Sequence, residues 1–157
     1  MGDAWSKAVG FGVDIPFVTL LGFELTKFDG GQSEILFAPK PEHLNSFAVT
    51  HGGALMTLLD VSMATAARSL VPEMGVVTIE MKTSFMRPAI AGTGPLVAKG
   101  VLMHRTATMA FTQATVFDGA GRACAHGTGT FKFVKRLPTG ASTANPLNPS
   151  TGTLSTD

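Results

Sequence analysis

The chain has 157 residues, a single cysteine and a formal net charge of +1. That length suits one domain, and the near-neutral charge with scattered basic residues speaks against a nucleic-acid or membrane-surface protein. The lone Cys124 excludes an internal disulfide and fits a reducing compartment.

In chain order, Ala4 to Val9 reads as a short first helix. The apolar run from Phe17 to Phe23 is too short for a membrane span and lacks the layout of a cleavable signal, so a cytoplasmic protein is expected. Phe23–Phe28 and Gln32–Ala38 read as two strands joined at Asp29-Gly30-Gly31, a hairpin signal, with Pro39 and Pro41 ending the second.

From His51 to Leu70 the period changes. Leu55, Leu58, Leu59, Ser62, Met63, Ala66 and Ala67 recur at helical spacing, with Thr50 as the expected N-cap and Pro72 as the stop. Asp60 and Arg68 are the only charged residues in the segment, so this helix should be buried on most sides.

Val77, Ile79, Met81 and Phe85 alternate with polar residues at period two, the pattern of a half-buried strand. Pro95–His104, Thr106–Asp118 and Ala123–Val134 read as three more strands, the last two joined by a turn at Asp118-Gly119-Ala120-Gly121. Lys132, Lys135 and Arg136 form a loose basic cluster, read as a solvated strand end. The expected fold class is α+β, one antiparallel sheet wrapped around a long central helix. The expected domain is residues 1–137. The stretch 138–157, rich in Pro, Thr, Ser and Gly, is an expected disordered tail. One sheet covers only part of so apolar a helix, which argues for dimerisation.

The candidate chemistry lies between His43 and Asp60. Gly52 and Gly53 either permit a tight turn into the helix or leave its first N–H groups open to a carbonyl oxygen, as an oxyanion site. Asp60, an acid on an apolar helix, is either ion-paired or water-facing, or a general base or nucleophile in a cleft. His51 and Asn45 could fix the loop or bind substrate. His43, His104 and His126 lack metal-ligand spacing, and no metal site is expected. Gly127-Thr128-Gly129 is half a dinucleotide fingerprint but falls inside a strand.

Asn45, then His51-Gly52-Gly53, then Asp60 seven positions after Gly53 resemble the signature of hotdog-fold thioesterases. The branch resembled is that of the phenylacetate-degradation thioesterases and related acyl-CoA thioesterases. Val77 to Ala89, with its Arg87-Pro88-Ala89 exit, extends the likeness, which covers about Gly22 to Val134. The resemblance implies an acyl-CoA substrate, no cofactor, and a homodimer as minimal unit within a homotetramer.

It also implies roles. The Gly52 N–H would bind the thioester carbonyl, with Gly53 beside it, and Asp60 would activate water or attack directly. Asn45 and His51 would organise carbonyl, water or leaving sulfur, and Thr78 would assist. Arg87 and Arg105 are candidates for the coenzyme A phosphates. Val61 departs from the pattern, since many relatives carry a polar residue after the acid.

A non-catalytic acyl-CoA binding module and a hotdog dehydratase or hydratase are the competing readings. The first does not need a carboxylate at Asp60. The second resembles a different layout, with His and an acid in a longer motif. Gly52 and Asp60 lie eight positions apart, about 12 Å along a helix, so one subunit can hardly bring both to one water. A site shared across a two-fold axis is expected.

Overall fold

A computed structural model of the chain describes residues 8–136. The expected tail at 138–157 and positions 4–7 of the expected first helix lie outside the described residues. Ala8 and Val9 are not helical, and the Val9 N–H bonds the Leu25 carbonyl at 2.7 Å. The first described helix, α1 (Pro16–Leu21), falls later, where Pro16 opens it and Gly22 closes it in the left-handed conformation.

The remaining elements follow the expected order: β1 (Glu24–Asp29), β2 (Gln32–Phe37), a short 3-10 turn (Pro41–His43), α2 (Gly52–Arg68), β3 (Met74–Phe85), β4 (Leu96–Arg105), β5 (Met109–Phe117) and β6 (Ala123–Lys135). The strands form one antiparallel sheet in the order β1-β2-β4-β5-β6-β3, curled around α2. This is the hotdog arrangement.

The core lies between α2 and the sheet. Leu58, Leu59 and Met63 on the helix pack with Ile35, Phe37, Leu96, Val116 and Phe131 on the strands, all fully buried. Gly100 on β4 allows the close approach. A Cβ there would overlap the Ser62 carbonyl oxygen, and Ser33 Oγ already donates to that same oxygen at 2.6 Å.

The N-cap of α2 differs from the expectation. Thr50 is buried with its N–H committed to the Ala89 carbonyl, and its hydroxyl makes no capping bond. The chain stays extended for one more residue. His51 caps instead, its Nδ1 accepting from the Gly53 N–H at 2.8 Å.

Burial is also uneven. One stripe of α2, with Met56, Asp60, Val61 and Ala64, is left partly open. β3 pairs only with β6, so its other edge is free. Its alternating apolar residues Val77, Ile79 and Phe85 are about half exposed, at 46%, 54% and 52%. A bulge between Thr78 and Glu80 leaves Ile79 unpaired in the ladder.

Candidate active site

The start and the middle of α2 offer different chemistry. At its start, Gly52 is half-buried, and its N–H has no partner among the described residues. A Cβ added at Gly52 would make only ordinary contact with the Phe85 ring, at 3.4 Å, and its backbone is not left-handed. Nothing within the protomer therefore demands glycine at this position. Gly53 is different. Its N–H is held by His51, and a Cβ there would press on His51 Nδ1 at 3.0 Å. Gly53 is glycine so that the cap can form.

Asn45 anchors the loop before the helix. Its Oδ1 accepts from Phe47 N at 2.9 Å and Val49 N at 3.3 Å, a side-chain-built turn that also holds Ala48 in the left-handed region. Its amide N–H groups have no partner among the described residues. Asn45, Gly52, Phe85 and Arg87 line a cleft of about 390 Å³. Arg87 is exposed and donates to the Ala123 carbonyl at 2.7 Å.

Two turns along α2, Asp60 lines a separate cleft of about 310 Å³ with Val61, Ala64, Val76 and Thr78. Thr78 Oγ1 donates to Asp60 Oδ1 at 2.7 Å. Burial pushes the Asp60 carboxyl above the ordinary carboxylate value, and the Thr78 hydrogen bond pulls it partly back. A half-buried carboxylate with a raised pKa holds a proton more tightly than an exposed one does.

Within one protomer the expected site residues are thus divided. Asn45, Gly52 and Arg87 share one cleft, and Asp60 and Thr78 share another. His51 and Gly53 line a third, beside Glu42 and His43. Arg105 lines none of these three; its guanidinium lies over the Phe133 ring at 5.2 Å. Phe85, Arg68 and Arg136 also line the first two clefts and were not among the expected site residues. Among the described residues, no His, Cys, Asp and Glu side chains gather as a metal site, and no helix is long and apolar enough to cross a membrane.

Comparison with known proteins gives this geometry a family. The thioesterase superfamily model matches residues 47–125, just over half of the chain. The chain belongs to the thioesterase superfamily. Its match runs from within the loop before α2, after Asn45, through the helix with Asp60 and strands β3 to β5 to the start of β6.

Among superfamily relatives, a candidate esterase of Saccharolobus solfataricus is 24% identical over 115 residues, 73% of this chain and 81% of that protein. A conserved protein of Pseudomonas aeruginosa superposes with a TM-score of 0.72 at 26% identity, over 83% of this chain and 99% of its own. The PaaI protein of the Escherichia coli phenylacetic acid degradation operon shares the fold, with a TM-score of 0.73 at 22% identity over 83% and 93% of the two chains. Membership and fold support thioester hydrolysis as the general chemistry.

Proposed function

We propose that this protein hydrolyses acyl-CoA thioesters to free acid and coenzyme A, with Asp60 as the base or nucleophile and the Gly52 N–H as oxyanion donor. The observation that carries this reading is the pairing of a half-buried, Thr78-bonded carboxylate with an unpartnered N–H at the start of the same helix. A thioester is already activated, so these groups and a water suffice. Water attacks the carbonyl carbon while Asp60 takes its proton. Negative charge moves to the carbonyl oxygen at Gly52, the C–S bond breaks, and coenzyme A leaves as the thiol after reprotonation. In the covalent variant, the Asp60 carboxylate attacks first and water cleaves the resulting anhydride.

The division of residues between clefts supports a site assembled from two subunits, Gly52 of one beside Asp60 of the other. The open stripe on α2 and the free, half-apolar edge of β3 are surfaces a second copy would cover. The homodimer is the minimal unit in this reading and a homotetramer the full assembly. Asn45 and His51 would hold the carbonyl or the leaving sulfur, and Arg87 and Arg105 would meet the coenzyme A phosphates. A pure binding module would leave the carboxylate in the Asp60 cleft without a purpose, since its ligand is itself anionic.

The test is release of free thiol from aryl, short-, medium- and long-chain CoA esters. Turnover with at least one class, lost in Asp60→Asn, is expected. Thiol release no faster than spontaneous hydrolysis across all four classes would overturn the reading.

A further inference from the structure

The Asp60 cleft continues past the reacting position to a charge that the hydrolysis does not use. Arg68 lines its far end and is only 7% exposed. Its guanidinium lies over the Phe28 ring at 5.6 Å, and its Nε is buried without a hydrogen-bond partner. Among the described residues no carboxylate pairs with it, and Arg136 lines the same cleft. Burial first, and then the charge of Arg136, hold Arg68 below its ordinary pKa.

Burying an unpaired cation is costly, and placing a second cation beside it adds to the cost. A structural role accounts for part of this arrangement. Arg68 sits in the last turn of α2, where the helix dipole favours positive charge. The dipole leaves Nε unbonded, however, and gives no reason for Arg136 to approach. An anion between the two guanidinium groups would answer both points.

Asp60, Ala64 and Arg68 follow one another at four-residue spacing, so they lie along one ridge of the helix. Within one protomer the small Ala64 leaves the path between the two charged residues open, and a second copy on this stripe would roof it. Val13, Ile15, Val61 and Val76 make its walls apolar. Asp60 and Arg68 are about 12 Å apart along the axis; both side chains lean toward the N-terminus, and the longer arginine reaches further that way, which narrows the gap. The remaining gap, shorter than that axial separation, suits an acyl chain of short to medium length.

We propose that the Asp60 cleft selects acyl groups carrying a carboxylate at their far end, which Arg68 and Arg136 bind while the thioester carbonyl lies at Asp60. The substrate class is the CoA monothioester of a medium-length dicarboxylic acid. This inference rests on the thioesterase reading above for the position of the carbonyl.

The test compares hexanoyl-CoA with adipoyl-CoA, which share chain length and differ in the terminal carboxylate. Wild-type kcat/KM should favour adipoyl-CoA by at least ~10-fold. Arg68→Met keeps a long apolar stem against Phe28 and should remove that preference without lowering hexanoyl-CoA turnover. Arg136→Gln, at a strand end where folding is not at risk, should weaken it in the same direction. Equal losses on both esters in Arg68→Met would place the guanidinium on the coenzyme A phosphates and overturn the proposal. So would a wild-type preference for hexanoyl-CoA. The same two ligands are then titrated by calorimetry into Asp60→Asn protein. Tighter binding of adipoyl-CoA, lost in the Asp60→Asn/Arg68→Met double variant, supports the proposal even if neither ester is hydrolysed. Equal affinities overturn it, whatever the hydrolysis assay shows.

Discussion

Thr78 on β3 donates a 2.7 Å hydrogen bond to Asp60 Oδ1 on α2, fastening the carboxylate between helix and sheet. The bond favours the charged form of a group that burial drives toward neutrality. Thr78→Val should therefore raise the Asp60 pKa further. The acidic limb of the kcat/KM profile should move to higher pH, with the alkaline limb unchanged. A limb that stays in place would separate Thr78 from the reacting carboxylate.

Asp60→Asn should lower turnover by at least ~10²-fold with the fold intact. It should also stabilise the protein at neutral pH, because the folded-state pKa of Asp60 is raised. The sign follows from linkage. The neutral acid is compatible with the cleft below the unfolded-state carboxylate value, and that compatibility is lost as pH rises through the higher folded value. The gain in melting temperature of Asp60→Asn over wild type should thus be present at pH 7 and vanish on acidification. A gain equal at both pH values would point to packing instead of charge.

The paired glycines should respond differently. Gly53→Ala pushes on the His51 cap and His51→Ala removes it, so each should cost about 0.5–2 kcal/mol in denaturant unfolding. Gly52→Ala meets only ordinary contact and should leave the unfolding midpoint nearly unchanged while slowing hydrolysis. A large stability loss in Gly52→Ala would make that glycine structural.

Gly52→Pro removes the proposed oxyanion donor. His51 already has the extended backbone (φ −60°, ψ 137°) that precedes proline, and no bond of the Gly52 N–H is sacrificed. Exchanged with Asp60→Ala subunits, it should restore roughly a quarter of wild-type activity, since about half of randomly mixed dimers carry one intact shared site. Mixtures that stay inactive, with exchange shown by mass spectrometry, would mean that each subunit holds its own complete site.

Gly100→Ala should destabilise the protein by about 1–3 kcal/mol, because the added methyl would overlap the Ser62 carbonyl and force α2 off the sheet. Chemical denaturation would read this directly. An unchanged midpoint would show that the helix can shift at little cost.

α2 was legible from apolar residues repeating at 3.6 and β3 from alternation at 2, while the Asp29-Gly30-Gly31 and Asp118–Gly121 turns marked the strands on either side of them. Period alone says which residues share a face, not whether that face is covered. The alternation at Val77, Ile79 and Phe85 marks β3 correctly, yet those side chains stand half exposed on an edge strand. The helix α1 has its own signals in Pro16 and Gly22, which bracket a short apolar run with no helical period of its own. Asp60 stood out as an acid on an apolar helix. Its link to Thr78 was not readable from spacing, since it depends on β3 packing beside α2. The meeting of Arg68 and Arg136 was likewise hidden, because β6 returns the chain to the end of α2 only at the far limit of the fold.

The sheet order also carries a timetable. β3 is made directly after α2, yet its neighbour in the sheet is β6, and even the nearest pairing, Phe85 with Ala125, spans 40 residues of sequence. At ordinary synthesis rates that is roughly 2–8 s during which the new chain holds an apolar helix and an unpaired twelve-residue strand. Such long-range closure slows folding, because loop entropy is lost before the contacts that reward it can form. Expression of this chain should therefore depend on chaperone supply more than the stability of the finished domain would indicate.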